Sequence, residues 1–288
     1  MSIVYVNGEY MQAAEAVIPM EDRAHQFADG VYEVIAFFNE TLLDAIPHLK
    51  RLDYSCGELN ITNPHSHDEW LEIINQMITR NEHPHGGVYL QVSRGTQSRN
   101  HVYSQGLSAN VTLSAFGQKT PSKELTHQGA KVITYPDLRW KRCDIKTTGL
   151  LGNVMAKQAA AQADAREAIL IKENGDVSEA SVSNFFIVKD DVIQTHPSTN
   201  EILSGIAREV TLRIAAEKNL LVKEEPFTKQ AMFDADEAFL TGTTTNVLPV
   251  VQVDDTIIGN GKPSPITLQL LDGFIEHIKE QTGYELWS

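Results

Sequence analysis

Cysteine is scarce: Cys56 and Cys143 are the only two in 288 residues. Two thiols make no disulfide framework, and both read as reduced. Basic residues are also outnumbered. Lys and Arg total 24 against 38 Asp and Glu, a net charge of −14 and a pI near 5.1. Binding nucleic acid needs a surface that neutralises phosphates, so that partner class is excluded. Any anionic substrate needs a local positive trap. No apolar run approaches the roughly 20 residues of a membrane span, so no membrane association is expected. Residues 1–6 carry neither a basic start nor a long apolar stretch, so no signal peptide is expected and the setting reads as cytoplasmic. Repeats and low-complexity segments are lacking, as are a Gly-x-Ser-x-Gly elbow and a P-loop. His65, His67, His83 and His85 form two His-x-His pairs without the spaced cysteines of common zinc sites, so no metal is expected.

What is present is ordinary for a folded chain: 42% hydrophobic and 22% charged residues, enough for one large or two medium domains. Residues 3–11 read as a hairpin around Asn7-Gly8, a pair that favours the positive φ angles of a two-residue turn. Residues 31–38 and 41–44 read as strands, and 46–59 as a helix. Ser66 and Glu69 form a capping box opening a helix through Thr79. Residues 87–94 and 110–116 read as strands. Beyond Gly117 come turn residues without apolar periodicity, a linker at 119–122. Residues 131–134, 168–172 and 184–188 read as strands. The stretches 150–165, 205–220 and 268–278 read as helices. The mixture is α+β: a small N-terminal α/β domain at 1–118 and a larger one at 123–288. A cleft between domains is a common place for a cofactor.

Two segments carry the chemistry. Lys146 stands in Arg-Trp-Lys-Arg-Cys-Asp-Ile-Lys-Thr-Thr-Gly-Leu-Leu, residues 139–151. Glu179 stands in Val-Ser-Glu-Ala-Ser-Val-Ser-Asn-Phe-Phe, residues 177–186. A lysine can form a Schiff base with an aldehyde cofactor, and a carboxylate can hold that cofactor's ring nitrogen protonated. Leu203-Ser204-Gly205-Ile206-Ala207-Arg208 ends a turn and opens a helix, whose first amides suit an anion. Thr241-Gly242-Thr243-Thr244-Thr245 is a hydroxyl-rich turn, and Arg51 is positioned to supply a bidentate charge. Singly, each of these has a plain structural explanation; it is their combined spacing that is specific.

Together these segments resemble the fold-type IV aminotransferases, which use pyridoxal phosphate. From Glu179 through Asn184 to Arg208 every position of the family's long gapped pattern is filled, and the likeness runs from Asp22-Arg23 to Pro249-Val250. The resemblance implies a fold-type IV enzyme of two α/β domains with the cofactor cleft between them. It implies that Lys146 is the catalytic lysine, that Glu179 pairs with the ring nitrogen, and that Arg51, Thr243 and the amides of Ile206 and Ala207 bind phosphate. Leu203 would pack on the ring face.

The segment Arg99-Asn100-His101, with Tyr32 and Thr244, resembles the substrate-carboxylate trap of the D-amino acid aminotransferase branch. Arg99 and His101 alternate, so an extended loop points them the same way. That branch contributes the Arg-x-His loop from the partner subunit, which implies a homodimer. The implied reaction is ping-pong transfer of an amino group from D-alanine or D-glutamate to 2-oxoglutarate or pyruvate. The rivals are a branched-chain L-amino acid aminotransferase, a lyase such as 4-amino-4-deoxychorismate lyase, and a non-enzymatic homologue. Ala207 stands where this branch often has threonine. A hydrogen bond to a charged group contributes about 1.5–3 kcal/mol, so looser cofactor retention is expected, with Ala207→Thr restoring it. Val182 and Gly242 also replace positions that can be serine.

Overall fold

The computed structural model describes residues 2–117 and 121–287. The chain packs as two compact units. The first takes the described residues up to 117, then Ile145–Gly149 and Gln281–Tyr284; the second takes the remainder. Against the expected division at 1–118 and 123–288, Ile145–Gly149 and Gln281–Tyr284 thus pack with the N-terminal part. The backbone explains the first return: Tyr32 N donates to Lys146 O at 3.0 Å, Thr148 N to Gly30 O at 3.0 Å, and Lys146 N to Ser55 Oγ at 3.2 Å. Residues 119 and 120 of the expected linker lie outside the described residues; Ser122 caps the next helix through Leu125 N.

The first unit holds β1 (Ile3–Val6), β2 (Glu9–Gln12), α1 (Arg23–Phe27), β3 (Gly30–Phe38), β4 (Thr41–Leu42), α2 (Ala45–Glu58), α3 (His67–Asn81), β5 (His85–Ser93) and β6 (Asn110–Gly117). Its sheet runs β2-β1-β6-β5-β3-β4, antiparallel throughout. The first hairpin forms as read, with Asn7 at φ 48° and Gly8 at φ 102°. The capping box at Ser66 is complete, although β4 stops at Leu42, before the left-handed Asp44 that precedes α2. Trp70, Ile74, Met77 and Ile78 recur at helical spacing on α3 and share a core with Leu49 and Leu52 of α2 and Ile35, Val88 and Leu113 of the sheet. A fully buried side chain of this size contributes about 1.5–3 kcal/mol. Because β3 alternates, Val31, Glu33, Ile35 and Phe37 share one face, which puts a carboxylate among apolar neighbours.

The second unit holds α4 (Lys123–Gln128), β7 (Ala130–Pro136), α5 (Leu151–Gln162), β8 (Glu167–Ile171), β9 (Asp176–Ala180), β10 (Asn184–Lys189), β11 (Val192–Thr195), α6 (Ile206–Glu217), β12 (Leu221–Glu224), β13 (Phe227–Thr228), α7 (Lys229–Phe233), β14 (Glu237–Gly242), β15 (Asn246–Val253), β16 (Thr256–Ile257) and α8 (Pro265–Thr282). Its ten-stranded mixed sheet runs β12-β11-β10-β14-β15-β7-β8-β9-β13, with β16 on β15. Ala156 and Ala160 seat α5 closely on Ala168 and Leu170 of β8. A second core gathers Phe185, Ile187, Ala238, Leu240, Leu248 and Val250 from the central strands. Among the described residues no helix is long and apolar enough to cross a membrane.

Candidate active site

Lys146, Tyr32, Arg51, Arg99 and His101 lie in the first unit. Lys146 Nζ sits 4.3 Å from the centroid of the Tyr32 ring, a cation–π contact. Tyr32 points to the face of β3 opposite Glu33 and stacks on Tyr89 at 5.5 Å, whose hydroxyl donates to Gln91 Oε1 at 2.8 Å. Burial pushes the Tyr89 phenol up to about 12, so it stays a donor.

On the other face of β3, Glu33 is fully buried. Arg51 grips it with a two-pronged fork, Nε to Oε1 at 2.8 Å and Nη2 to Oε2 at 2.9 Å. His48 Nδ1 lies 2.8 Å from Oε2. His48 and Arg51 are three apart on α2 and therefore neighbours on one face. Burial alone would raise the Glu33 carboxyl, but Arg51 and then His48 outweigh it and hold it well below the usual carboxylate range. Burial depresses His48, with Glu33 opposing.

Arg99 and His101 are both exposed and meet at Phe27. The Arg99 guanidinium carbon is 4.6 Å from that ring's centroid, and the His101 ring is 5.2 Å away. Their loop is anchored from behind. Arg23 donates to Asn100 O at 2.7 Å and to His101 O at 3.3 Å. Its Nε binds Asp29 Oδ2 at 2.7 Å, which Arg94 shares at 2.7 Å.

Glu179, Leu203, Ile206, Ala207, Thr243 and Thr244 lie in the second unit. Glu179 is buried on β9. Arg139 Nη1 donates to its Oε1, Asn184 Nδ2 to its Oε2 at 2.9 Å, and Leu203 N to the two oxygens at 3.3 and 3.4 Å. Arg139 is not Glu179's alone: Asp137 takes its Nε at 2.9 Å and its Nη2 at 2.8 Å. Burial raises the Glu179 carboxyl above its ordinary value, and Arg139 only partly offsets this.

Ile206 and Ala207 are the first two residues of α6, both buried. The first turn of a helix leaves its amides without intrahelical acceptors, and Gly205 provides no side-chain cap. A Cβ on Gly205 would lie 2.1 Å from Asn184 Oδ1, so any larger residue there would have to displace the Asn184 amide. Thr243 and Thr244 are half-buried in the turn after β14. Thr241 Oγ1, just ahead of that turn, is buried without a partner.

A family model for amino-transferase class IV matches residues 30–253. The chain belongs to the class IV aminotransferases. This member is 41% identical to a D-alanine aminotransferase of Bacillus licheniformis, over 97% of this chain and 98% of that one. It is 39% identical to a D-alanine aminotransferase of Listeria monocytogenes, over 97% of each. Among solved structures it resembles a branched-chain amino acid aminotransferase of Escherichia coli, at a TM-score of 0.87 and 24% identity, over 100% of this chain and 97% of that one. The fold is that of the fold-type IV enzymes.

Glu33, His48, Arg139 and Asp137 were not singled out from the sequence. Glu33 and His48 are fifteen residues apart, and only the burial of β3 against α2 joins them. Arg139 is one of three basic residues in Arg139-Trp140-Lys141-Arg142; its pairing across 40 residues distinguishes it.

Proposed function

We propose that this class IV aminotransferase is a D-amino acid aminotransferase, exchanging amino groups between D-alanine or D-glutamate and 2-oxoglutarate or pyruvate, with pyridoxal 5'-phosphate as cofactor. The observation that carries the reading is the 41% identity to a D-alanine aminotransferase across nearly the whole of both chains. The residues present fit the cofactor: a helix start without a side-chain cap for its phosphate, the orphaned Thr241 hydroxyl beside the threonine turn, and a buried carboxylate, Glu179, for its ring nitrogen. When bound, that cofactor supplies an aldehyde carbon and a protonated ring that withdraws electrons.

With the cofactor bound, Lys146 Nζ would serve as the general base that takes the proton from the substrate Cα and as the acid that hands it back. Glu179 accepts the ring N–H and keeps the ring cationic. Arg51, Thr243 and the amides of Ile206 and Ala207 hold the phosphate, and Leu203 covers a ring face. Tyr32 and Thr244, with Arg99 and His101, hold the substrate carboxylate and select the D form. Arg99 and His101 reach this site from the partner of a homodimer, which their exposure beside Val102, 74% exposed, supports. The setting is cytoplasmic, in keeping with the acidic charge balance.

Incubation with D-alanine and 2-oxoglutarate tests the reading, with formation of pyruvate and D-glutamate expected. Borohydride reduction followed by peptide mapping should find the pyridoxyl adduct at Lys146. Turnover of L-leucine or of aminodeoxychorismate, with D-alanine untouched, would replace the reading with one of its rivals.

A further inference from the structure

We propose that Arg139 is a positioning residue for Glu179, fixing both the orientation and the charge of the carboxylate that meets the cofactor's ring nitrogen. The inference rests on the proposed role of Glu179 and concerns how that role is enforced.

The pair is enclosed, with side chains only 6% and 8% exposed. Arg139 cannot swing away, because every part of its fork is used. Asp137 takes two donors, Glu179 takes Nη1, and Nη2 also reaches Ser178 Oγ and Glu201 O, each at 3.3 Å. Asp137 is itself fastened by Ser178 Oγ at 2.6 Å and by the Arg139 amide at 3.2 Å. A planar guanidinium held on both edges presents a fixed donor, which a lysine on a flexible stem does not.

The charged and titratable groups around Glu179 include Arg139, Asp137 and the Cys143 thiol. Arg139 is the cation of this group. Asn184 and Leu203 N supply neutral donors to the carboxylate. Without Arg139 the buried carboxylate would face Asp137 and two neutral donors, and would take up a proton more readily. A protonated Glu179 offers the ring nitrogen no charge. Arg139 therefore acts through Glu179 and needs no contact with cofactor or substrate.

The rival explanation is that Arg139 only staples residues 137–139 to β9. A titration separates the two. Glutamate carrying 13C at the carboxyl is incorporated into the full-length enzyme, and the Glu179 resonance is assigned by its loss in Glu179→Gln. In Arg139→Met the midpoint of that resonance should move up by about 1–3 pH units, the usual influence of an adjacent opposite charge. It should move less in Arg139→Lys. In the holoenzyme with 15N-labelled cofactor, the ring-nitrogen shift should move toward the unprotonated value in Arg139→Met. There kcat should fall at least tenfold, with little change in the KM for D-alanine.

A wild-type Glu179 titration in a folded Arg139→Met overturns the proposal. If that variant does not fold, a wild-type titration in Arg139→Lys does the same. Failure of the underlying reading looks different: Glu179→Gln would transaminate at the wild-type rate while Arg139→Met still shifted the Glu179 resonance.

Discussion

Each unit buries a glutamate against an arginine, and the two carboxylates are shifted in opposite directions. Glu33 takes two donors of Arg51 and the ring of His48, and it lies well below the usual carboxylate range. Glu179 has one arm of Arg139, whose other donors go to Asp137, and it lies above its ordinary value. Burial penalises both charges. The difference lies in what stands beside each carboxylate: Arg51 and His48 both draw Glu33 down, whereas Asp137, which shares Arg139, pushes Glu179 up. Two donors of Arg51 on one carboxylate make a rigid strut, suited to holding Arg51 in place. An arginine shared with Asp137 leaves Glu179 with spare proton affinity, in keeping with the role proposed for it.

The sharpest way to break this comparison is Glu33→Gln. It leaves the Arg51 guanidinium buried without its carboxylate, and removing one partner of a buried pair costs about 3–5 kcal/mol. Denaturant unfolding should show that loss. Glu179→Gln should cost clearly less, because Arg139 keeps Asp137. Equal losses would mean that sharing the arginine makes no difference. A smaller effect is expected of Gly205→Ala. The backbone there, φ −73° and ψ 135°, suits alanine, and relieving a glycine favours the folded state by about 0.4–1 kcal/mol. The new Cβ nevertheless meets Asn184 Oδ1 at 2.1 Å, and displacing Asn184 breaks its bonds to Glu179 and to Leu203 O. Such overpacking costs about 1–3 kcal/mol, so a net loss should appear in the unfolding midpoint. A midpoint at or above wild type would show that Asn184 moves aside freely and does not pin the carboxylate.

These same residues show what the sequence makes readable. The first hairpin and the start of α3 are written in local chemistry, Asn7-Gly8 and Ser66 with Glu69, and both form as read. The helices at 150–165 and 205–220 form with frayed limits, as Leu151–Gln162 and Ile206–Glu217. Strand β9 is not legible as a strand. Asp-Val-Ser-Glu-Ala has no alternation, because Ser178 and Glu179 are buried for their hydrogen bonds and Val177 and Ala180 for packing. Lys146 and Glu179 stand out in the sequence through a long spaced pattern, as candidates for the roles proposed for them. Arg139 and Glu33 do not, since an isolated charge in a sequence gives no sign that it will be buried. What singles them out is the partner across 40 or 18 residues, and that is settled by tertiary packing.

The smallest expected effect is also the most discriminating, because it concerns a sign. Glu33 is depressed in the folded state. Its contribution is present above the unfolded value of about 4.3 and is lost as pH falls through the folded one. Glu179 is raised. Its contribution is present below about 4.3 and is lost as pH rises through the folded value. Unfolding of the cofactor-free wild type, Glu33→Gln and Glu179→Gln between about pH 4 and about pH 8 therefore separates them. The advantage of wild type over Glu179→Gln should shrink as pH rises. Its advantage over Glu33→Gln should hold steady through the upper part of that range and begin to shrink only at the acid end. If both advantages shrink in the same direction, the two arginines hold their glutamates alike, and Asp137 does not divide the charge of Arg139.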